Sequence, residues 1–219
     1  MSSSDLQFST IISCGLGEDA SFDVEIASKF NAKVIIVDPT PRAILHFEEI
    51  QKRIGQSAIH GYVKGGTQPT VSYDLSRVTK DSLILEPFAL WVEITKIKFF
   101  APPNPDHVSH SIINFQNNYS RSTPHIEVPT ITLEALLEKH QVKAVQLMKL
   151  DIEGAEVDVI KHMLEKSIFP RQVLLEFDEL NVPSVRAKRN AEDTDKALRQ
   201  AGYECRYFDG VSNFLYRLR

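Results

Sequence analysis

Acidic residues and glycines that suit ligand binding are concentrated in three short segments of the 219-residue chain. The first, S-C-G-L-G-E-D at residues 13–19, ends the apolar run 10–14. Its glycines allow a tight turn and a close approach of a ligand, and a following helix offers free N–H groups. The alternative is an ordinary strand-to-helix turn. Because Asp19 would repel a pyrophosphate and the third glycine of a dinucleotide fingerprint is missing, the segment favours a ligand with an ammonium group.

The second segment is Asp38, which directly follows the apolar run V-I-I-V at residues 34–37. An acid at the end of the second strand of a doubly wound sheet can accept two hydrogen bonds from ribose hydroxyls. The alternative is that Asp38 caps the next helix, ahead of Pro39 and Pro41. The glycine turn one strand earlier favours the ribose interpretation.

The third segment is M-K-L-D-I-E-G-A-E at residues 148–156, at the end of another apolar run. Three carboxylates in six residues are costly near a strand end unless they face a cleft, a partner or a cation. Since the carboxyl ends of parallel strands line the ligand crevice, we expect Asp151 and Glu153 beside the glycine turn. Glu156 has a simpler explanation, because an acid stabilises the first turn of a helix.

Apolar β-branched runs alternate with amphipathic stretches along the chain, which predicts an α/β domain with a parallel sheet. The predicted buried strands are residues 10–14, 34–37, 145–150 and 173–177. The predicted helix faces are Phe22, Ile26 and Phe30; Ile44, Phe47 and Ile54; Val157, Ile160 and Leu164; and the small and apolar residues of 185–201. The final runs, 203–208 and 213–218, are joined by the short turn Asp209-Gly210 and are therefore predicted to pair antiparallel.

The middle of the chain departs from this alternation. A strand is predicted at 93–100, and the loop 101–111 follows it, with three prolines in four positions that forbid regular structure. We therefore predict one domain spanning residues 1–219, with an irregular insertion of strands and loops at about 92–128, at one edge of the sheet.

Composition narrows the possible partners. The chain has 25 Lys and Arg against 29 Asp and Glu, a formal net charge of −4, and 42% hydrophobic residues, which is typical of globular domains and excludes disorder. The chain has no run of five like charges, so we predict neither a nucleic-acid partner nor a membrane partner. Cys14 and Cys205 lack metal-ligand spacing, so we expect reduced cysteines and no metal site. The absence of a signal-like N-terminus or a long apolar stretch predicts a cytoplasmic protein.

The string K-L-D-I-E-G-A-E, followed by V-D-V-I, resembles the signature of the FkbM-type methyltransferases. The resemblance extends through S-C-G-L-G-E-D-A-S-F-D, V-D-P-T-P-R, P-P-N-P-D-H-V-S-H-S and L-L-E-F, and covers roughly residues 11–202. It implies S-adenosylmethionine as cofactor and a Rossmann-like methyltransferase fold, whose sheet is mostly parallel and doubly wound with an antiparallel C-terminal strand. The predicted terminal strand pair agrees with that fold.

The resemblance also implies roles for individual residues. Gly15 and Gly17 would lie against the methionine and ribose parts of the cofactor, Asp38 would bind the ribose hydroxyls, and Asp151 would face both cofactor and acceptor. The usual pattern has an acid two residues before the first glycine, where this chain has Ser13. Either Glu18 or Asp19 then supplies the charge that faces the cofactor's ammonium group, or cofactor binding is weakened or lost.

Candidates for the adenine and the acceptor come from two other regions. Phe88 and Ala89 would contribute to an apolar adenine slot with Glu86 as polar contact, although a core strand would have the same composition. In the proline-rich loop, His107 and His110 have the spacing to reach one cleft, where a histidine can take the proton of a hydroxyl acceptor. The alternative is that both are solvated loop histidines. Asp178 and Glu179, after the strand at 173–177, are further cleft candidates.

The leading hypothesis is an S-adenosylmethionine-dependent methyltransferase that acts on the oxygen of a small-molecule or sugar-like acceptor. An NAD(P)-dependent oxidoreductase would share the glycine turn and Asp38, but the missing glycine and the acidic pair at 18–19 disfavour it. A non-catalytic protein of the same fold, which binds a nucleoside or a partner, is the third hypothesis, and Ser13 is the residue that supports it. The sequence leaves the acceptor and the oligomeric state open.

Overall fold

The structure, a computed structural model, describes residues 3–104, 110–114, 117–181 and 184–219. The strands are β1 Thr10–Cys14, β2 Lys33–Val37, β3 Leu83–Glu86, β4 Ala89–Leu90, β5 Lys96–Phe100, β6 His125–Ile131, β7 Leu147–Leu150, β8 Gln172–Glu176, β9 Tyr203–Phe208 and β10 Asn213–Leu218. The helices are α1 Ser21–Phe30, α2 Pro41–Lys52, α3 Leu133–Lys139, α4 Glu156–Glu165, α5 Asp178–Asn181 and α6 Val185–Gln200. None of the helices in these ranges is both long and apolar enough to cross a membrane.

The main sheet has seven strands in the order β3-β2-β1-β7-β8-β10-β9. The first five in this order are parallel, and β10 runs antiparallel to both β8 and β9. The predicted parallel sheet and the antiparallel terminal pair are confirmed. The chain moves outward from β1 in one direction to β2 and β3 and later in the other to β7 and β8, so the strand order reverses at β1, where open α/β sheets form their ligand crevice.

The strand register brings the three segments predicted to bind a ligand to the same edge of the sheet. Cys14 pairs with Val37 on one side and with Leu150 on the other. The next residues along each strand are Gly15, Asp38 and Asp151, which therefore emerge side by side at the carboxyl edge of the sheet.

Both faces of the main sheet are covered. Ile12 and Cys14 point into one hydrophobic cluster and Ile11 into the other, as the alternation of side chains along a strand requires. Because neither face is open to water, the central strands are continuous apolar runs, and each fully buried aliphatic side chain contributes about 1.5–3 kcal/mol to stability.

Two features differ from the sequence predictions. The expected face of α1, Phe22, Ile26 and Phe30, is only partly buried, whereas Asp23, Val24 and Ala27 are buried. The helix therefore packs on the sheet through the positions that follow the aromatic residues by about one residue. One of these buried positions is the acid Asp23. The insertion does not extend the main sheet but forms a second sheet in the order β4-β6-β5, with β6 antiparallel to β5 and parallel to β4.

Candidate functional site

A cavity of about 390 Å³ opens at the carboxyl ends of β1, β2 and β7. Its volume is within the range of small-molecule sites. Of the site residues predicted from the sequence, it is lined by Gly15, Gly17, Glu18, Asp19, Asp38, Ala89, His110 and Asp151. Ser13, Glu86 and Phe88 are not among its lining residues, and His107 lies outside the described residues.

The end of β1 lies directly against the end of β7 at Gly15. Its φ of +88° is in the left-handed region, and an added Cβ would lie 1.9 Å from the carbonyl oxygen of Asp151. The Gly15 N–H donates to Val37 O at 3.1 Å, and the Asp151 N–H donates to Cys14 O at 3.2 Å, so neither strand end is free to retreat. Only glycine fits here, which explains the first glycine of the turn.

The Asp38 carboxylate organises the glycine turn. Its Oδ2 accepts hydrogen bonds from the backbone N–H groups of Leu16 at 2.9 Å and Gly17 at 3.0 Å. Its Oδ1 accepts from the backbone N–H and the hydroxyl of Thr40, at 2.8 and 2.6 Å. These four donors fill the usual acceptor capacity of a carboxylate. Both interpretations of Asp38 must therefore include a structural role, because this side chain, 6% exposed, connects two strand ends.

Lys149 joins the glycine turn to Asp151. Its ammonium donates to Gly15 O at 2.9 Å and to the Asp151 carboxylate at 3.1 Å. Burial acts to lower the pKa of Lys149, but the neighbouring carboxylates of Asp151 and Asp23 outweigh it and raise that pKa above its usual value. Lys149 is thus a fixed positive charge on the cavity wall. The signal in the sequence is a lysine within an otherwise apolar strand, since lysine is almost never buried without a partner.

The two acids after the glycine turn differ in their partners. Arg42 donates to both oxygens of Glu18, at 3.0 and 2.6 Å, and this ion pair lowers the pKa of Glu18 below its usual range. Thr67 adds a third hydrogen bond at 3.1 Å. The charge of Glu18 is therefore already compensated. Asp19 accepts a hydrogen bond from the Ser21 N–H at 2.9 Å, as a residue preceding a helix often does.

Ser13, which stands where the resembled pattern has an acid, is fully buried beside Asp23 of α1. The Ser13 hydroxyl is near enough to lower the pKa of Asp23, but neither Ser13 Oγ nor Asp23 Oδ1 makes a hydrogen bond within the described residues. A carboxylate is thus present next to position 13, although a neighbouring helix supplies it. The apolar stripe of α1 did not predict this, because it placed Asp23 away from the core.

Glu86 and Phe88 have other partners. The Glu86 carboxylate accepts from the Lys139 ammonium at 2.6 Å and contacts His140 Nε2 at 2.7 Å. The Phe88 ring lies 5.4 Å from the same ammonium. This ion pair, buried at Glu86 but half-exposed at Lys139, connects β3 to α3. Apolar surface of the cavity comes instead from the second sheet, through Ala89, Leu90, Ile97 and Phe99. Ile97 and Phe99 were not predicted, because strand pairing between distant segments decides which residues face the cavity.

Glu156 holds the turn that follows Asp151. Its carboxylate, 1% exposed, accepts from the backbone N–H groups of Ile152 at 2.8 Å and Gly154 at 2.9 Å. The turn contains two residues with positive φ, Glu153 at +53° and Gly154 at +97°, and the Ser111 hydroxyl donates to Glu153 O at 2.6 Å. Glu156 therefore does more than stabilise a helix terminus, because it fixes the backbone that carries Asp151 and Glu153.

Replacing Glu156 with alanine should lower the free energy of unfolding by about 2–4 kcal/mol, since two buried N–H groups would lose their acceptor. Urea unfolding measures the loss. Asp158→Ala is the matched control, because Asp158 is in the same helical turn but exposed, and it should change stability by less than about 0.5 kcal/mol. Equal losses in the two variants would contradict the assignment.

The described residues contain no group of three or more His, Cys, Asp or Glu side chains placed to hold a metal ion. The sequence model described as the methyltransferase FkbM domain matches residues 10–205, which include β1, β2, β7 and every element at the cavity. The chain belongs to the FkbM methyltransferase family. No curated protein shows a significant match to it.

Membership in the FkbM methyltransferase family confirms the resemblance and supports a methyltransferase. In this FkbM protein, the K-L-D-I-E-G-A-E segment provides Lys149, Asp151 and Glu153 to the cavity and Glu156 to its support. The signature is thus a structural unit in which charged side chains and turn backbone depend on one another.

Proposed function

We propose that this FkbM-family protein is an S-adenosylmethionine-dependent methyltransferase that transfers the methyl group to the oxygen of a small-molecule or sugar-like acceptor. The charge balance of the cavity carries the proposal. Five carboxylates line it, and Arg42 compensates one of them, Glu18. The other four, Asp19, Asp38, Asp151 and Glu153, stand against the single lysine Lys149 among the described lining residues. This excess favours a ligand with cationic groups, and S-adenosylmethionine has an ammonium and a sulfonium group.

The glycine turn also supports this cofactor over a nicotinamide dinucleotide. The N–H groups of Leu16 and Gly17 donate to Asp38 and so do not point at a bound pyrophosphate. An anionic pyrophosphate would in addition meet Asp19 at the mouth of the turn. The strand order, with a reversal at β1 and an antiparallel β10, is that expected of a Rossmann-like methyltransferase.

The chain's own residues would hold the cofactor in two regions. Gly15 and Gly17 allow its methionine and ribose parts to approach the backbone. Lys149, on the cavity wall, would face the carboxylate of the methionine part. Asp38 would accept a ribose hydroxyl at Oδ1 in place of the Thr40 hydroxyl, which is the one side-chain donor among its four partners. Ala89 and Leu90, with Phe99, would contact the adenine or the acceptor as apolar wall.

When bound, S-adenosylmethionine supplies a methyl carbon activated by the sulfonium. The protein must orient the acceptor oxygen in line with that carbon and, for a hydroxyl, accept its proton. Asp151 fits the second task, because its side chain is 42% exposed and lines the cavity. His110 also lines the cavity and is the second candidate.

Thermal unfolding with S-adenosylmethionine, S-adenosylhomocysteine, NAD and NADP in parallel tests the cofactor. At 100 times the dissociation constant, a bound ligand adds about 2.7 kcal/mol, or about 5–10 °C for a chain of this size. We expect this shift with the first two compounds alone. A shift with NAD or NADP would support the oxidoreductase, and no shift with any of the four would support the non-catalytic protein.

Replacing Asp38 with alanine should abolish the shift with S-adenosylhomocysteine, because the glycine turn loses its acceptor and the ribose loses its partner. Two further variants serve as controls. Asp81→Ala removes an exposed acid and should keep the full shift, and Thr40→Val frees Oδ1 and should bind at least as well as the wild type. A full shift in the Asp38 variant would remove the ribose assignment.

A further inference from the structure

We propose that Asp23 is a positioning residue: its buried carboxylate provides the counter-charge for the Lys149 ammonium beneath the glycine turn, and Lys149 in turn sets the carbonyl of Gly15 and the carboxylate of Asp151 that face the cofactor. This inference rests on the proposed function, since the positioning matters to a ligand of this cavity.

The position of Asp23 is unusual for an acid. It is 2% exposed and belongs to the face of α1 that packs on the sheet, together with Val24 and Ala27. Its Oδ1 makes no hydrogen bond within the described residues, and the adjacent Ser13 hydroxyl makes none there either. Buried polar atoms without partners destabilise a fold, so natural proteins retain few of them outside functional sites.

Within the described part of the chain, four titratable groups from other parts of the fold interact electrostatically with Asp23: Lys149, Asp19, Cys14 and Tyr73. Lys149 on β7 attracts its carboxylate, and Asp19 in the glycine turn repels it. Cys14 on β1 and the buried Tyr73 each have a pKa raised chiefly by burial and further by Asp23. Lys149 is the one cation among these groups, so the interaction that can compensate an ionised Asp23 runs to Lys149.

The strand register places Lys149 near Asp23. Ser13, which lies beside Asp23, is the partner of Lys149 on the adjacent strand β7, so both side chains are on the face of the sheet that α1 covers. Asp23 acts on Lys149 through charge, and Lys149 donates to Gly15 O at 2.9 Å and to Asp151 at 3.1 Å. The Asp151 side chain is 42% exposed at the cavity, so solvent and ligand can reach it. Asp23 is sealed from solvent and cannot contact a ligand. It is therefore the counter-ion that keeps Lys149 in place both with and without a bound ligand.

Burial raises the pKa of Asp23 from 3.8 to about 6, against the opposing effects of Lys149 and the Ser13 hydroxyl. A raised pKa means that the protonated carboxyl stabilises the fold: this stability is fully present below pH 3.8 and is lost as the pH rises through 6. At neutral pH Asp23 is thus ionised at a cost to the fold. A residue that served stability alone would not have this property.

The test compares Asp23→Asn with the wild type in two measurements. Calorimetric binding of S-adenosylhomocysteine should weaken about tenfold in the variant at pH 7.5. With a pKa of about 6 for Asp23, wild-type binding should weaken about threefold at about pH 5.5 and should approach the loss of the variant only near about pH 4.5. Without ligand, the variant should melt about 5 °C higher than the wild type at pH 7.5, and the gap should close towards pH 4. Weaker binding in a more stable protein distinguishes positioning from a structural role.

Two further variants sharpen the result. Glu25→Gln makes the same acid-to-amide change at a partly exposed position of α1 and should alter neither binding nor its pH dependence. Adding Ser13→Asp to the Asp23 variant returns a carboxylate to the same buried place from β1 and should restore most of the affinity. Unchanged binding in Asp23→Asn at pH 7.5 would overturn the proposal, as would a lower melting temperature with no recovery in the double variant.

A failure of the cofactor assignment has a different outcome. If the wild type binds neither S-adenosylmethionine nor its product at any pH, the proposed function fails. The electrostatic interaction between Asp23 and Lys149 is then tested without ligand. Lysine side-chain NMR measures the pKa of the Lys149 ammonium, and the Lys149→Met variant assigns its signal. A lower Lys149 pKa in Asp23→Asn supports the counter-charge, and an unchanged one refutes it.

Discussion

Replacing Gly15 with alanine is expected to lower the free energy of unfolding by about 3–5 kcal/mol and to abolish cofactor binding. The left-handed φ of +88° accounts for the smaller part of this loss. The larger part comes from the new Cβ, which would lie 1.9 Å from Asp151 O. Since hydrogen bonds hold both strand ends, the sheet must open at the cavity to accommodate the methyl group.

Gly55 provides the matched control for this variant. Its φ of +86° is nearly the same, but a Cβ there would meet no atom within 4 Å. Gly55→Ala should therefore lose only about 1–2 kcal/mol from the backbone conformation. Urea unfolding of both variants gives the steric contribution as the difference. Similar losses at the two glycines would show that the strand ends can separate easily, against the packing described above.

Replacing Asp151 with asparagine is expected to reduce turnover about 100-fold, because the carboxylate that takes the acceptor proton becomes an amide. Binding of S-adenosylhomocysteine should change less than about threefold, since the amide oxygen can still accept from Lys149 and the Asp151 backbone is unaltered. Turnover is measured as release of S-adenosylhomocysteine with a panel of monosaccharides and glycosides as acceptors.

The control for Asp151 is Asp158→Asn, an exposed acid of the same segment, which should leave turnover unchanged. Unchanged turnover in Asp151→Asn would transfer the proton-accepting role to His110, and His110→Gln would then show the large loss. A parallel loss of binding and turnover would instead make Asp151 a cofactor ligand, with no specific role in the transition state.

Much of the fold follows from local patterns. The apolar runs predicted β1, β2, β7 and β8 to within a few residues, and 203–208 and 213–218 are the observed β9 and β10. These predictions succeed because a strand buried on both faces must be apolar throughout. The meeting of Gly15, Asp38 and Asp151 also follows from sequence, since parallel strands end at one edge of the sheet.

The partners of those residues depended on the tertiary structure. Asp38 was expected to face ribose, and its carboxylate is already engaged by four protein donors. Glu86 was expected at the adenine and instead pairs with Lys139, 53 residues away in sequence. A carboxylate bonds to whichever donor the fold brings within reach, and no pattern within one segment specifies that donor.

Local sequence patterns therefore predict which segments are buried, which turn needs glycine, and which acids reach the edge of the sheet. The burial of Asp23 and the hydrogen bond from Lys149 to Gly15 O, 134 residues away in sequence, follow only from the packing of the folded chain. The two kinds of information differ in the sequence distance over which they act. The alternation of buried and exposed residues is visible within about ten residues of one strand or helix. The pairing of opposite charges instead requires that elements distant along the chain pack together.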